Sequence, residues 1–158
     1  MVKIILFLIY INAQTSYAGV FGYVSGTIAN VSFLNVEVIN SNCIANCLLY
    51  GTGIAIGGVN SLASIINVHV TDGSVLSASY QNIAGMAGIN YGVITNCSVT
   101  NVSVQGIGRT ASFVGYNEGL ISYSSVINSL VSGSGWHTGG FVGKNQAGAV
   151  ISNSMIRD

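Results

Sequence analysis

The chain has 158 residues, with four Lys and Arg against four Asp and Glu, so its formal net charge is zero. Charged residues make up 5% of the chain, whereas an ordinary soluble domain carries about 25%. The absence of a basic stripe argues against nucleic acid as a partner. A hydrophobic content of 50%, with 21 glycines and no proline, argues against disorder.

The N-terminal segment has the layout of a secretory signal peptide. Lys3 precedes an apolar run at residues 4–11, and the polar residues after it end in Ser16-Tyr17-Ala18, with small side chains at −3 and −1 of a cut after Ala18. The run is too short for a transmembrane span, which needs about 20 residues. We therefore expect residues 1–18 to be a signal peptide and residues 19–158 to be a secreted or cell-surface domain. A first buried strand of the fold is the alternative.

The remaining chain repeats the pattern G-x-N-x-G-x-I-x-N. Its reference glycines lie 27 to 36 residues apart, at Gly22, Gly58, Gly88, Gly115 and Gly143. Asparagines follow two residues later, at Asn60, Asn90, Asn117 and Asn145. Another asparagine recurs at Asn30, Asn96 and Asn153, where one copy has Tyr123 instead. A second block, Asn-Val-x-Val or a close variant, begins at Asn35, Asn67, Asn101 and Asn128.

This repetition predicts an all-β fold, a parallel β-solenoid (β-helix) of about five stacked coils. Alternating Val and Ile residues have the period of a strand, and Gly and Asn tolerate the positive φ of sharp turns. Stacking buries the apolar edge of each coil, and asparagines at one position can form a hydrogen-bonded ladder. A β-sandwich is the alternative, but it would not need a repeat register.

The first repeat carries an insert around residues 40–52 that contains two of the three cysteines. Cys43 and Cys47 are close enough in sequence to form a disulfide across a turn. The third, Cys97, is expected to be a small core residue. No further Cys or His lies near enough in sequence to complete a zinc site, so we expect no metal or cofactor.

Three segments, at residues 83–99, 110–126 and 138–154, resemble GLUG-motif repeats. Met86, Phe113 and Phe141 stand where that family has its name-giving Leu, and Ser112 replaces a leading Gly. The resemblance implies a secreted or surface protein, since the family occurs in adhesins and in non-catalytic parts of secreted bacterial peptidases. The motif carries no catalytic residue.

One constellation suggests catalysis. The second blocks align Glu37, His69 and Ser103 in successive coils, which is a candidate nucleophile, base and orienting group. An outward-facing row lacks an oxyanion hole and excludes no water, so we expect a surface hydrogen-bond ladder and no enzymatic activity. The other acidic residues occupy different repeat positions.

Aromatic residues and glycosylation sequons are the remaining candidates for function. Tyr23 and Tyr116 both follow a reference glycine, Tyr91 and Tyr123 lie nearby in the repeat, and Trp136 adjoins His137. Such rings can stack on sugars or on a protein partner, or pack at the rim of turns. The sequons begin at Asn30, Asn96 and Asn101, where ladder formation competes with glycosylation.

Taken together, these features predict a secreted or cell-surface solenoid with a structural or adhesive role. Its expected partner is a glycan or protein of a host or matrix surface. The alternative is a fragment of a carbohydrate-active β-helix that cleaves polysaccharides.

Overall fold

The computed structural model describes residues 4–41, 47–79 and 81–158, which form a parallel β-solenoid of about five coils. Every strand pair within these ranges is parallel, and each pair joins neighbouring coils. One 3-10 turn, Cys47–Leu49, lies before the second coil's first narrow strand. The predicted fold class is confirmed.

Three sheets run along the solenoid. A wide sheet of twelve strands contains β1 (Ile4–Ala13), β4 (Thr27–Asn40), β7 (Ser64–Thr71), β8 (Ser74–Ser77), β11 (Val93–Thr95), β12 (Ser98–Thr100), β13 (Ser103–Gly106), β16 (Leu120–Ser122), β17 (Ser125–Ile127), β18 (Leu130–Gly133), β21 (Val150–Ser152) and β22 (Met155–Arg157). The first narrow sheet contains β2 (Tyr17–Ala18), β5 (Gly51–Gly53), β9 (Asn82–Ala84), β14 (Arg109–Ala111) and β19 (His137–Gly139). The second contains β3 (Phe21–Val24), β6 (Ile56–Val59), β10 (Ala87–Asn90), β15 (Val114–Asn117) and β20 (Val142–Asn145).

Corners in the wide sheet are made by single residues with positive φ. These residues form two columns, the first being Asn30, Asn67, Asn96, Tyr123 and Asn153, and the second Asn35, Asp72, Asn101 and Asn128. Asn and Asp adopt this left-handed conformation more readily than other non-glycine residues. A coil with both corners therefore crosses the wide sheet as three short segments with no loop between them, and the last coil contributes two.

The two corner columns correct the alignment of the second repeat. Strand pairing sets Asn67 opposite Asn30 and Asn96, in the first column, whereas the repeat alignment assigned it to the second block. Asp72 takes the second-column position instead. The motif Asn-Val-x-Val gives the wrong alignment here because the alternating residues Val68 and Val70 lie between the two corners of this coil and follow the first one.

The reference glycines line the contact between the two narrow sheets. The strand register equates Gly22, Gly57, Gly88, Gly115 and Gly143, so the predicted Gly58 is displaced by one residue. A Cβ on Gly115 would lie 2.6 Å from the backbone nitrogen of Ile83, in the first narrow sheet. Absence of a side chain therefore lets the backbones of the two sheets approach closely.

Apolar columns fill the interior between the sheets. Ile65, Ile94 and Ile121 stack in consecutive coils and are fully buried. Phe113 stacks on Phe141 with 4.8 Å between ring centroids, at the position that the GLUG resemblance gives to Leu. Full burial of such side chains contributes about 1.5–3 kcal/mol each. Repetition of the columns explains how the fold forms with so few charges.

Residues of the predicted signal peptide form the first strands of the structure. β1 pairs with β4 from Ile4 opposite Val31 to Ala13 opposite Asn40, and Ile9 and Ile11 pack against the core. This arrangement corresponds to the alternative of a first strand. Removal of residues 1–18 by a peptidase is not tested by the pairing and stays a prediction.

Candidate binding surface

Strand pairing separates the residues of the predicted catalytic row. Glu37 lies opposite Ser74, which in turn pairs with Ser103, whereas His69 pairs with Ser32 and Ser98. The row of Glu37, His69 and Ser103 is therefore wrong, because it depended on the misaligned second repeat. Glu37 and Ser103 do share a row, without the histidine.

His69 takes part in a different string of hydrogen bonds on the outer face of the wide sheet. Its Nδ1 lies 2.8 Å from Ser98 Oγ and its Nε2 lies 2.9 Å from Asn67 Oδ1. Because an amide oxygen only accepts, Nε2 carries the proton and Nδ1 accepts the Ser98 hydroxyl. A hydroxyl, an imidazole and an amide in this order resemble a nucleophile, a base and an orienting group.

The surroundings of this string are unlike a catalytic centre. The Asn67 amide nitrogen donates to Asn30 Oδ1 at 2.8 Å, so the string continues into the column of corner residues. All three residues sit on strands or corners of one sheet, whose backbone N–H groups pair between neighbouring coils. An oxyanion hole needs backbone donors that are free to face the reacting atom. Within the ranges that the structure describes, no three His, Cys, Asp or Glu side chains could share a metal ion.

Tyrosines gather along one side of the narrow sheets, near enough for ring contacts or charge interactions between neighbours. We use the name tyrosine strip for Tyr17, Tyr23, Tyr50, Tyr91 and Tyr116, five of the chain's eight tyrosines. The register puts Tyr23 and Tyr116 in one row of the second narrow sheet, which confirms their predicted equivalence. Tyr23 is 47% exposed and the other four are half-buried.

The first end of the strip is a cluster of three rings. The Tyr17 ring lies 4.8 Å from the Tyr23 ring and 5.4 Å from the Tyr50 ring, in tilted and edge-on geometry. Gly58, opposite Tyr23, leaves room for this packing, because a Cβ there would lie 2.6 Å from a Tyr17 ring carbon. Asn60 Nδ2 donates a hydrogen bond to the Tyr23 hydroxyl at 3.0 Å. Packed and hydrogen-bonded rings lose little freedom when a ligand stacks on them.

Tyr91 connects the two ends of the strip. Burial raises the pKa of the Tyr91 hydroxyl, the nearby charges of Glu118 and Tyr23 raise it further, and Arg109 lowers it. Burial also raises the pKa of the Tyr17 hydroxyl, and the nearby Tyr91 raises it further. Tyr91 is therefore within electrostatic range of both ends, and the raised pKa values keep the hydroxyls of Tyr17 and Tyr91 protonated at neutral pH.

The second end of the strip collects three of the chain's eight charged residues around Tyr116. The Arg109 guanidinium lies 4.4 Å from the Tyr116 ring centroid and Lys144 Nζ lies 5.7 Å from it. The Tyr116 hydroxyl donates to Glu118 Oε1. Burial first, and then this hydrogen bond, raise the pKa of Tyr116 to about 12.

Sequence reasoning missed these charged neighbours of Tyr116. Lys144 follows Gly143 as Tyr116 follows Gly115, so the repeat alignment did contain a signal for one of them. Arg109 belongs to the other narrow sheet, and the repeat period does not encode contacts between sheets. Of the remaining aromatic candidates, Tyr123 is a corner residue of the wide sheet and is 65% exposed. Trp136 is 66% exposed and precedes β19, in which His137 pairs with Arg109.

The predicted asparagine ladder forms for three of its four members. Asn90 Nδ2 donates to Asn117 Oδ1, and Asn117 Nδ2 donates to Asn145 Oδ1, both at 2.7 Å. Asn60 is not a member, since Val59 takes the equivalent position. Asn153, the other predicted structural asparagine, lies in the first corner column with Asn30 and Asn96.

Two of the three sequon asparagines already use the amide nitrogen to which a glycan would be attached. Asn96 Nδ2 donates to Asn67 Oδ1 at 3.4 Å and Asn101 Nδ2 donates to Asp72 Oδ1 at 3.0 Å. The Asn30 side chain accepts from Asn67 through its oxygen. Ladder bonds and glycosylation therefore compete at Asn96 and Asn101, and modification of all three stays a prediction.

The cysteines divide as the sequence indicates. Cys47 is disulfide-bonded, and Cys43, its predicted partner, lies outside the described residues. Cys97 is free and buried directly after a corner residue. Its Sγ accepts the Val68 N–H at 3.4 Å and donates to the Thr95 carbonyl at 3.2 Å, and Ser124 makes the equivalent pair of bonds in the next coil.

We expect Cys97 to resist alkylation in the native protein. Burial raises the pKa of its thiol from 9.0 to about 11, so the reactive thiolate is scarce at neutral pH. The stabilising effect of this shift is complete below pH 9, where native and unfolded thiols are both protonated, and it declines as the pH rises toward 11. Mass spectrometry of the Cys97 peptide after iodoacetamide treatment, with and without denaturant, measures the protection. The Cys97→Ser variant should keep its stability within about 1 kcal/mol, and rapid native labelling would contradict the burial.

None of the described residues belongs to a helix with the length and hydropathy needed to cross a membrane. A comparison with known protein families, curated proteins and solved structures finds no match to this chain.

Proposed function

We propose that the protein is a secreted or cell-surface β-solenoid that binds glycans through the tyrosine strip, in a structural or adhesive role. The observation that carries this proposal is the gathering of tyrosines on one side of the narrow sheets, with three charged residues around one of them. Four of the five tyrosines, all but Tyr17, lie after the proposed cleavage site. Aromatic faces stack on the apolar faces of sugar rings, and phenol hydroxyls hydrogen-bond to sugar hydroxyls. The resemblance to GLUG-motif repeats supports the location, and a protein ligand is the other partner that such a surface fits.

Substitution of strip tyrosines should weaken glycan binding. Tyr23→Ala and Tyr91→Ala are each expected to lower affinity about three- to tenfold, because each removes one stacking surface. A glycan array followed by isothermal titration with the best oligosaccharide measures the effect. Tyr123→Asn is the matched control, because it removes an exposed tyrosine outside the strip and installs the residue found at that corner in four other coils. Equal losses in the control and in the strip variants would contradict the proposal.

A carbohydrate-active enzyme is the second candidate. The string of Ser98, His69 and Asn67 is the observation that favours it. Reducing-sugar release is followed in the same titrations, and we expect none. Release by the parent that is lost in His69→Ala, with binding retained, would establish the enzyme instead.

The proposed location has a separate test at the N-terminus. Protein recovered from the medium or the cell surface is expected to begin near Gly19, because Ser16-Tyr17-Ala18 is a peptidase site. N-terminal sequencing reads the first residue. Intact Met1 on intracellular folded protein would contradict secretion and would favour β1 as a permanent strand. Cleavage after Ala18 would remove Tyr17 from the strip and leave Tyr23, Tyr50, Tyr91 and Tyr116, whereas a chain with intact Met1 keeps all five.

A further inference from the structure

Two cations converge on one ring at the second end of the tyrosine strip. The chain has four basic residues, and two of them, Arg109 and Lys144, lie over the Tyr116 ring. Resting on the proposed function, we infer that the strip binds an acidic polysaccharide whose sugar units carry carboxylates, as uronic acids do. The carboxylate binds Arg109 and Lys144, and the sugar rings stack on the tyrosines.

The guanidinium of Arg109 is held in position before a ligand arrives. Its Nη1 donates to Asn82 Oδ1 at 3.1 Å, from the neighbouring strand of the first narrow sheet, and its plane contacts the Tyr116 ring. An arginine fixed in this way loses little entropy on binding, and its fork of N–H groups matches a planar carboxylate. Lys144 adds a second positive charge from the next coil of the other narrow sheet.

The two cations lack a counter-ion of their own. Glu118 is the acidic residue at this end, and it accepts the Tyr116 hydroxyl. Across the part of the chain that the structure describes, neither Arg109 nor Lys144 forms an ion pair with a carboxylate. Two neighbouring positive charges attract an anion more strongly than isolated surface charges do, because their fields add.

The charge of the site favours carboxylates over dense sulfation. Arg109 and Lys144 are offset by the nearby Glu118 carboxylate, so the second end carries a single net positive charge. A heavily sulfated chain would bring several negative charges against Glu118, whereas one carboxylate per sugar meets the two cations without that repulsion.

The strip is longer than one sugar. Tyr23 and Tyr116 are separated by three strand spacings in the same row, which is about 14 Å at roughly 4.8 Å per strand. A monosaccharide reaches only one end, so the ligand that fits is an oligosaccharide lying across the coils. Affinity should therefore increase with chain length until both ends are occupied.

The test compares acidic oligosaccharides with their own neutral esters. Oligosaccharides of polygalacturonate, alginate and hyaluronan are titrated beside their methyl esters, with heparin and cello-oligosaccharides as the sulfated and neutral arms, at two salt concentrations and in the presence of EDTA. We expect at least one acid to bind about five- to twentyfold more tightly than its ester, with affinity falling as salt increases. Heparin should bind more weakly than that acid.

Charge-removing variants locate the effect. Arg109→Gln/Lys144→Gln should abolish the preference for the acid over its ester, whereas Arg157→Gln, an exposed arginine at the end of β22, should keep it. Lys144→Gln alone, which leaves the Asn82 hydrogen bond intact, serves if the double variant does not fold. Equal affinity for acids and esters, or an unchanged preference for the acid in the variants, overturns the inference. If glycan binding still depends on the strip tyrosines in that case, the proposed function stands. If the parent protein binds no glycan, the inference and the proposed function are both overturned. If heparin binds more tightly than any uronate, the assignment of a carboxylate ligand is overturned.

Discussion

Replacement of Gly115 by alanine is expected to lower the melting temperature of the protein by about 2–12 °C. A Cβ at this position would lie 2.6 Å from the Ile83 nitrogen, 2.8 Å from the Asn82 carbonyl carbon and 2.9 Å from the Arg109 carbonyl oxygen. All three are backbone atoms in the first narrow sheet, so no side chain can rotate away. Overpacking of this kind destabilises by about 1–3 kcal/mol, and each kcal/mol corresponds to about 2–4 °C in a chain of this size.

The same glycine column provides the matched control. Gly22 occupies the equivalent position in the first coil, where a Cβ would meet only the Tyr17 carbonyl oxygen at the ordinary distance of 3.4 Å. Gly22→Ala should therefore melt near the parent. Thermal unfolding followed by circular dichroism compares the two variants, and equal melting temperatures would show that the narrow sheets are not in close backbone contact at Gly115.

Asn117→Ala is the second substitution with a large expected effect, a loss of about 2–4 kcal/mol. The Asn117 side chain is fully buried, accepts from Asn90, and donates to Asn145 and to the Gly119 carbonyl. Its removal leaves the buried Asn90 amide with only a 3.4 Å contact to the Leu120 carbonyl. An unsatisfied buried donor destabilises by about 1–3 kcal/mol, in addition to the lost bonds.

Two further variants separate the ladder from other effects. Asn117→Leu restores the lost volume without the hydrogen bonds, and it should be destabilised about as much as Asn117→Ala. Asn60→Ala should change stability little. The Asn60 side chain makes its hydrogen bonds near the surface, to the Tyr23 hydroxyl and from the Leu62 N–H. Chemical denaturation measures the free energy of unfolding of all three variants. A large loss of stability for Asn60→Ala with a small loss for Asn117→Ala would support the repeat alignment and contradict the observed register.

The fold could be predicted because one physical constraint recurs in every coil. A sharp corner needs a residue that tolerates positive φ, and Asn30, Asn96 and Asn153 mark that corner. They follow the reference glycines of their coils by eight, eight and ten residues. The alignment of Asn90, Asn117 and Asn145 is correct because their repeats are nearly equal in length. In these repeats no second glycine or asparagine adjoins the reference residues. The solenoid and two of its side-chain columns follow from this local regularity.

The second coil was misaligned because its sequence offers two equivalent choices. Gly57 and Gly58 are adjacent, and the ladder position holds Val59 with Asn60 beside it, so an alignment on Asn60 shifts by one residue. In a strand, such a shift reverses which face each side chain occupies. The alternating Val residues around His69 fit either corner, and only pairing between backbones determines which one is used.

The binding surface was only partly predictable for a different reason. Tyr23 and Tyr116 share a repeat position, so their common row follows from the period. The contact of Arg109 with Tyr116 joins two different sheets, and it depends on how closely the glycine column lets those sheets approach. That distance is a property of the packed coils and not of any single repeat.

Hydroxyl-radical footprinting with and without the tightest-binding oligosaccharide tests the central claim, that one strip of tyrosines is the binding surface. Mass spectrometry reads oxidation at each tyrosine in one experiment. We expect Tyr23, Tyr91 and Tyr116 to be protected together, while the exposed Tyr123 on the wide sheet stays unprotected. Protection confined to Tyr123 or to the wide sheet, with the strip oxidised as in the free protein, would contradict it.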